Sequence, residues 1–315
     1  MAVVNYCEVA LLSPFKMIPE TDTPGIHFDD DWMSARILSF QTKKCYHQKW
    51  LKKLATKFQI RSTIVPEVLK AYNKNREVVD TFSFSSVADL PDGGKIYECT
   101  VNFEQAFDDG NTIVWLYLEA TQGLTSFKFI SEPIELFQQR DNLLIFQFWN
   151  SFNDWRTVFT LGFKPYFIIE AGITDYEPGR SVGKYVNEVR DTVTLSATPY
   201  RKFKLNIGEA PGVADWAMDA MNRILCCDTV LISHREDLLG KAYETPEGAQ
   251  WEIKREKEWP MIGASIDLVE KYNLYSVQQN SGAITPGIVI GYSLDSPWSG
   301  GSLAPIQVID EKTLI

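Results

Sequence analysis

Alternating apolar and polar positions recur through the first half of the chain, in short runs separated by glycine, proline and aspartate. Alternation with period two is typical of strands whose two faces meet different environments. Turn sequences such as Pro91–Gly94 and Asp108–Asn111 lie between the runs. Short strands at this spacing predict an antiparallel β-sandwich. The predicted strands are Thr81–Val87, Lys95–Phe103, Thr112–Ala120, Ser126–Ile130 and Ile134–Phe137.

The pattern restarts after a polar interruption at Gln138–Asn142. We therefore predict two domains, residues 1–139 and 140–281, each β-rich and sandwich-like. One segment of the first domain, Val65–Ala71, is compatible with a short helix. The strands predicted for the second domain are Leu143–Trp149, Arg156–Phe163, Tyr166–Ile169, Val193–Ala197, Lys202–Ile207, Thr229–Ser233, Ala249–Lys254 and Ser265–Val269.

One segment of the second domain has a helical period instead. Within Pro211–Leu225, Asp215, Asp219 and Arg223 share one face, and Pro211 is compatible with the first helical turn. We expect the opposite, apolar face to pack on the sheet of its own domain. That face carries Val213, Trp216, Ala217, Ala220, Ile224 and Leu225.

Residues 282–315 differ from the rest of the chain, being rich in Gly, Ser, Pro and isolated aliphatic residues. Disordered tails are normally charged and poor in aliphatics, so we expect an extended arm. Such an arm can add a strand to a sheet edge of a neighbouring subunit or another protein. Docking on its own second domain remains the alternative. The predicted contact residues are Ile288, Ile290, Trp298, Ile306 and Val308.

Composition narrows the function classes. The chain has 315 residues and a net charge of −10, and an acidic surface repels phosphate, so we expect no groove binding of nucleic acid. The basic stretch Lys49–Arg61 is interpreted as a solvated face of one element. No apolar stretch approaches a membrane span, so we expect no membrane insertion. Five cysteines without CxxC spacing favour reduced thiols in a protein made in the cytoplasm.

Catalytic motifs are weak. Gly179–Gly183 matches the spacing of a nucleophile elbow around Ser181, with His234 downstream, but a helix should follow and a strand is predicted instead. Asp29–Asp31 next to His27 is interpreted as a solvated acidic turn, because three consecutive aspartates cannot all face one ion. We expect no cofactor, no metal and no enzymatic activity.

Ten short stretches carry a resemblance to a known group of proteins. They are His47–Trp50, Ile96–Val101, Ser131–Ile134, Asn142–Phe146, Asn150–Asn153, Pro199–Asn206, Gly212–Trp216, Asn222–Leu231, Trp251–Ile253 and Met261–Asp267. Taken in order over about residues 45–275, they resemble tail structural proteins, of distal-tail or tail-tip type, from phages and prophages of Bacteroides-type bacteria.

This resemblance implies an immunoglobulin-like first domain and a virion location in the phage tail. It also implies assembly into a homo-oligomeric ring that contacts other tail proteins. Two features depart from the group: the helix-bearing domain comes second, and the arm has no recognised counterpart. The alternative is a carbohydrate-binding tail adhesin that contacts host surface glycan. Its candidate contact residues are Trp149, Phe152 and Trp155, with Asn153 and Asp154 beside them.

Overall fold

The computed structural model describes residues 5–19, 46–138, 142–154, 156–186, 190, 192–208, 212–233, 240–255 and 261–271, and the backbone of 288–289 and 309–310. Residues 1–273 form one compact unit and residues 274–315 form a second. Strands dominate the described residues, which confirms the prediction of a mainly-β fold.

Two sheets make up the first half of the larger unit. In chain order the elements are β1 (Cys7–Val9), β2 (Met17–Pro19), β3 (Gln48–Leu51), β4 (Thr56–Ser62), β5 (Leu69–Asn73), β6 (Val78–Phe82), β7 (Ser85–Asp89), β8 (Lys95–Val101), α1 (Glu104–Asp108), β9 (Ile113–Gln122), β10 (Thr125–Ser131) and β11 (Ile134–Phe137). The first sheet is antiparallel, in the order β1–β4–β8–β7. The second runs β2–β10–β9–β11–β3, with β5 on β9 and β6 on β5. Its β11–β3 pair is parallel.

The two sheets share one core. Trp50, Phe58 and Leu116 are fully buried in it. The Trp50 indole nitrogen donates to the Leu54 carbonyl at 2.9 Å, so its polar group is satisfied inside the core. Layered sheets around such a core form the expected sandwich.

The second half of this unit is built on a closed sheet. Its elements are β12 (Leu143–Trp149), β13 (Tyr166–Val186), β14 (Thr192–Ile207), β15 (Val213–Ala214), α2 (Asp215–Ile224), β16 (Thr229–Ser233), β17 (Lys241–Glu244), β18 (Glu252–Arg255) and β19 (Met261–Glu270). The strand order is β14–β13–β12–β16–β17–β19, and β19 pairs back to β14. Six strands therefore close into a small barrel, and β15 and β18 add to β19.

Strand β12 is shared between the sandwich and the barrel. Leu143 and Ile145 lie in the sandwich core, whereas Leu144, Phe146 and Phe148 lie in the barrel core. Successive side chains of a strand point to opposite faces, so one strand can serve two cores. This explains the nearly continuous apolar run at this position. It also explains why residues on both sides of the predicted boundary at 139/140 belong to one compact unit.

Helix α2 packs on the barrel core, as predicted, but with a shifted face. It spans Asp215–Ile224, shorter than the predicted Pro211–Leu225, because Val213 and Ala214 form β15 and pair with β19. Pro211 lies outside the described residues. Ala217, Met218, Met221 and Ile224 are its buried positions. Trp216 is only partly buried and meets the Tyr46 ring edge to face, with 5.7 Å between ring centroids. Met221, which the predicted face did not include, is the fully buried centre of the contact.

Several local predictions were wrong. Thr81–Val87 is two strands rather than one, because β6 ends at Phe82 and β7 starts at Ser85 in the other sheet. Val65–Ala71 is a loop leading into β5, because pairing of β5 with β9 overrides the local helical preference. Arg156–Phe163 contains no strand and is a series of turns. Val193–Ala197 and Lys202–Ile207 are parts of the single strand β14, which runs through Pro199 opposite Arg180 of β13. Proline is tolerated in a strand that has another strand on one side only.

Two short strands are described within the smaller unit. They are β20 (Ile288–Val289) and β21 (Ile309–Asp310), and they pair antiparallel. Of the predicted arm contacts, Ile288 is described in its backbone only. Ile290, Trp298, Ile306 and Val308 lie outside the described residues.

Candidate functional site

A long two-stranded ribbon extends from the barrel. Strand β13 pairs with β12 only as far as Glu170, and β14 pairs with β19 only as far as Lys202. Beyond these points β13 and β14 continue to pair with each other up to Val186 and Thr192. We call residues 178–186 and 192–201 the ribbon. At about 3.3 Å per residue it is roughly 30 Å long. Within the described part of the chain, no third strand pairs with it.

The base of the ribbon is fixed to the barrel. Tyr176 packs at a tilted angle against Phe203, which meets Tyr243 edge to face, with ring centroids 5.6 and 5.8 Å apart. The Lys202 ammonium lies 2.7 Å from a carboxylate oxygen of Asp267, and this hydrogen bond raises the pKa of Lys202. Arg201 lies 3.7 Å from the buried carboxylate of Glu270. The aromatic contacts and ion pairs fix the direction in which the ribbon leaves the barrel.

Several ribbon positions suit an exposed, two-stranded hairpin. Gly179 lies opposite Tyr200 in the register, and the Tyr200 ring covers it. Pro178 and Pro199 each remove a backbone N–H, one on each strand. Prolines of this kind limit uncontrolled pairing along open strand edges. The side chains from Thr174 to Pro178 are exposed to solvent.

The candidate nucleophile elbow lies within this ribbon. Its central residue, Ser181, pairs with Thr198 in extended backbone. A nucleophile elbow requires a sharp turn between a strand and a helix. The backbone at Ser181 therefore lacks the geometry of that motif, and His234 lies outside the described residues.

A second feature is an open groove between helix α2 and the loop that follows β12. We call it the loop–helix groove. It has a volume of about 340 Å³, within the range of small-molecule sites. Leu11 and Leu12 contribute apolar surface, and Cys226 and Cys227 lie at the end of the helix. The side chains that carry its recognition chemistry are Asn150, Phe152, Asn153, Asp154, Asn222 and Arg223.

Hydrogen bonds hold the loop of this groove in one conformation. The Asp228 carboxylate accepts from the Ser151 backbone N–H at 2.8 Å and from its hydroxyl at 2.6 Å. These bonds lower the pKa of Asp228. In return, the Asp228 backbone N–H donates to the Asn150 side-chain oxygen at 2.8 Å. Asp154 and Thr157 exchange backbone hydrogen bonds in the next turn. The loop is therefore preorganised.

Three asparagine side chains are held in the same way. The side-chain oxygens of Asn150, Asn153 and Asn222 accept from Asp228, Thr160 and Trp251, respectively. Their amide nitrogens donate to no described residue. Each therefore lines the groove with a fixed oxygen and two available N–H donors.

The sequence-predicted aromatic residues separate in the structure. Phe152 is 58% exposed and lines the groove. Trp149 ends β12, packs against the barrel core, and has the Lys164 ammonium 4.4 Å from its ring centroid. Trp155 lies outside the described residues. The sequence did not single out Asn222 or Arg223 as site residues. The polar face of an amphipathic helix does not indicate which loop packs beside it.

Cysteines and possible metal ligands were also located. Cys7, Cys99, Cys226 and Cys227 are free thiols. Burial raises the pKa of Cys227 to about 12, whereas Cys226 is exposed. Within the described ranges, no three His, Cys, Asp or Glu side chains cluster in a way that would hold a metal ion. His27 and Asp29–Asp31 lie outside those ranges.

No family model matches the chain, and no curated protein matches it. Neither helix in the described part of the chain is long and apolar enough to span a membrane.

Proposed function

We propose that this chain is a structural component of a bacteriophage tail, a distal-tail, hub or ring protein that oligomerises into a ring and connects other tail proteins. The ribbon is the observation that carries this proposal. A two-stranded ribbon alone in water is marginally stable, and packing against other surface stabilises it. A neighbouring subunit provides such a surface.

The fixed base of the ribbon favours a closed assembly. A head-to-tail interface generates a ring only when the rotation from one copy to the next is constant and closes. Contacts of Tyr176, Arg201 and Lys202 with the barrel hold the ribbon at a constant angle to the rest of the subunit. The prolines Pro178 and Pro199 reduce open-ended strand addition, which favours a finite oligomer over a fibre.

The resemblance of residues 45–275 to phage tail structural proteins supplies the biological setting. A protein with an extended ribbon and a compact sandwich–barrel body has separate surfaces for its own copies and for other tail proteins. These two surfaces are what a connecting ring requires.

The ribbon can be removed without touching the barrel. A variant in which Asn-Gly replaces residues 179–200 joins Pro178 and Arg201, which pair directly, by a two-residue hairpin turn. We expect sedimentation velocity to give a discrete oligomer for the wild type and a monomer for this variant, with similar thermal unfolding. A matched control is Leu124→Ser, at the fully exposed tip of the β9–β10 hairpin, which should remain oligomeric.

Two results would contradict ring formation through the ribbon. One is a wild-type chain that stays monomeric at its highest soluble concentration. The other is a shortened variant with the same oligomer size as the wild type. The tail assignment has its own test: antibodies against the chain should label the tail of phage particles produced by the genome that encodes it. Particles labelled elsewhere, or not at all, would refute that assignment.

A further inference from the structure

We propose that the loop–helix groove binds a neutral saccharide. This inference rests on the geometry of the groove and is independent of ring formation. Its first element is Phe152, a large apolar side chain that is 58% exposed on a loop held by hydrogen bonds. An aromatic ring held in that position offers a flat surface for the apolar C–H face of a pyranose ring.

The polar side chains of the groove suit hydroxyl groups. A hydroxyl both donates and accepts hydrogen bonds, so a sugar needs donors and acceptors side by side. The amide nitrogens of Asn150, Asn153 and Asn222 and the guanidinium of Arg223 are donors. The carboxylate of Asp154 is an acceptor. Because the asparagine oxygens are already held by the protein, the donors are fixed before a ligand arrives, which lowers the entropic cost of binding.

The charges of the groove favour a neutral ligand. Among the groove-lining residues, Arg223 supplies one cation and Asp154 one anion. Arg223 also lies in the last turn of helix α2, where the negative end of the helix dipole opposes a bound anion. The chain as a whole has a net charge of −10. A phosphorylated or carboxylated ligand therefore meets repulsion that a neutral sugar does not.

Saturation-transfer NMR and calorimetry with defined probes test this site. The probes are neutral oligosaccharides of hexoses, 6-deoxyhexoses and N-acetylhexosamines, compared with uronic-acid oligosaccharides of the same length. We expect saturable binding of a neutral probe to the full chain. Phe152→Ala should weaken that binding about tenfold, through loss of the stacking surface. Arg223→Gln should weaken it less, because a neutral donor remains.

Two controls place the ligand in the groove. Leu124→Ala changes another exposed apolar residue, at a hairpin tip, and should bind like the wild type. Cys226 is exposed and lines the groove, so a bound sugar should slow its alkylation by iodoacetamide. Absence of saturable binding across the panel would overturn the proposal. So would a preference for the uronic-acid probes, or unchanged affinity in Phe152→Ala. Sedimentation of the same samples reports ring formation separately.

Discussion

The ring of Tyr200 lies directly over Gly179 on the opposite strand of the ribbon. A Cβ atom at position 179 would lie 2.5 Å from carbon atoms of that ring, far inside contact distance. Glycine in a strand interior exposes backbone and has no side chain to pack. The Tyr200 ring supplies the missing cover, so this pair stabilises a ribbon that has no third strand among the described residues.

Gly179→Ala is expected to displace the Tyr200 ring and loosen the ribbon while the barrel stays folded. Hydrogen–deuterium exchange of peptides from residues 178–201 should become about fivefold faster, which corresponds to a local destabilisation of about 1 kcal/mol. Gly172→Ala on the same strand is the matched control, since a Cβ there meets no atom within 4 Å. Equal exchange in both variants would mean that the Tyr200 ring does not protect the ribbon.

A buried lysine joins the sandwich to the barrel. The Lys49 ammonium lies 2.6 Å from Glu135 and 3.8 Å from Glu170, and its side chain is 8% exposed. It also lies near the rings of Tyr46 and Phe137. The sequence predicted a solvated face for Lys49–Arg61, and for Lys49 that prediction was wrong. The local sequence of a basic stretch does not indicate that tertiary folding will place carboxylates beside one of its lysines.

Lys49→Met should lower the free energy of unfolding by about 3 kcal/mol, because it leaves two carboxylates in a partly buried setting without their cation. Adding Glu135→Gln should recover part of that loss, because it removes one of the two uncompensated charges. Chemical denaturation of the wild type, both single variants and the double variant gives the coupling energy. Strictly additive single-variant effects would show that the two side chains do not interact energetically.

The shifted face of helix α2 gives a third prediction. Met221 is fully buried in the barrel core, whereas Trp216 is only partly buried. Met221→Ala should therefore cost about 3 kcal/mol through lost burial and cavity formation. Trp216→Ala should cost about 1–2 kcal/mol, from its contact with Tyr46 and its partial burial. Thermal and denaturant unfolding would rank the two, and a larger loss for Trp216 would contradict the observed packing.

Local patterns predicted individual strands well. Ile134–Phe137, Leu143–Trp149 and Thr229–Ser233 have the predicted bounds, because apolar spacing and flanking turn residues are both local. The mainly-β class follows from the same signal. Helix α2 was also predicted, but the side of the helix that packs on the barrel is centred on Met221. The apolar positions alone do not fix which of them face the core.

Pairing between strands that are distant in sequence could not be predicted in this way. The closure of the barrel joins Lys202–Ile207 to Ala264–Val269, and residues so far apart in sequence do not predict each other. The ribbon was not predicted, because a strand shows the same alternation of apolar and polar residues whether it pairs with one strand or with two. The loop–helix groove was missed for the same reason: Asn150 and Asn222 become neighbours only when α2 packs beside the loop after β12. Phe152, Asn153 and Asp154 are the groove residues that the local sequence singled out as candidate contacts.

His47 gives a pH-dependent prediction. It is 1% exposed, and burial lowers its pKa from 6.5 to about 3, with the nearby charge of Lys49 acting in the same direction. Between these two values the unfolded chain binds a proton at this residue and the folded chain does not. Stability from this residue is therefore fully present above pH 6.5 and falls as the pH drops towards 3.

The expected slope is up to about 1.4 kcal/mol per pH unit within that window. Denaturant unfolding of the wild type and of His47→Asn isolates the contribution of His47. The measurements run from pH 4 to 7.5, and ~half-unit steps suffice for a slope of this size. We expect the variant to be less stable at pH 7.5, because it changes a buried side chain, and to lose less stability on acidification. The carboxylates titrate in both proteins and cancel in the difference. If the two stability curves stay parallel across the window, His47 is not the group that makes the fold sensitive to acid.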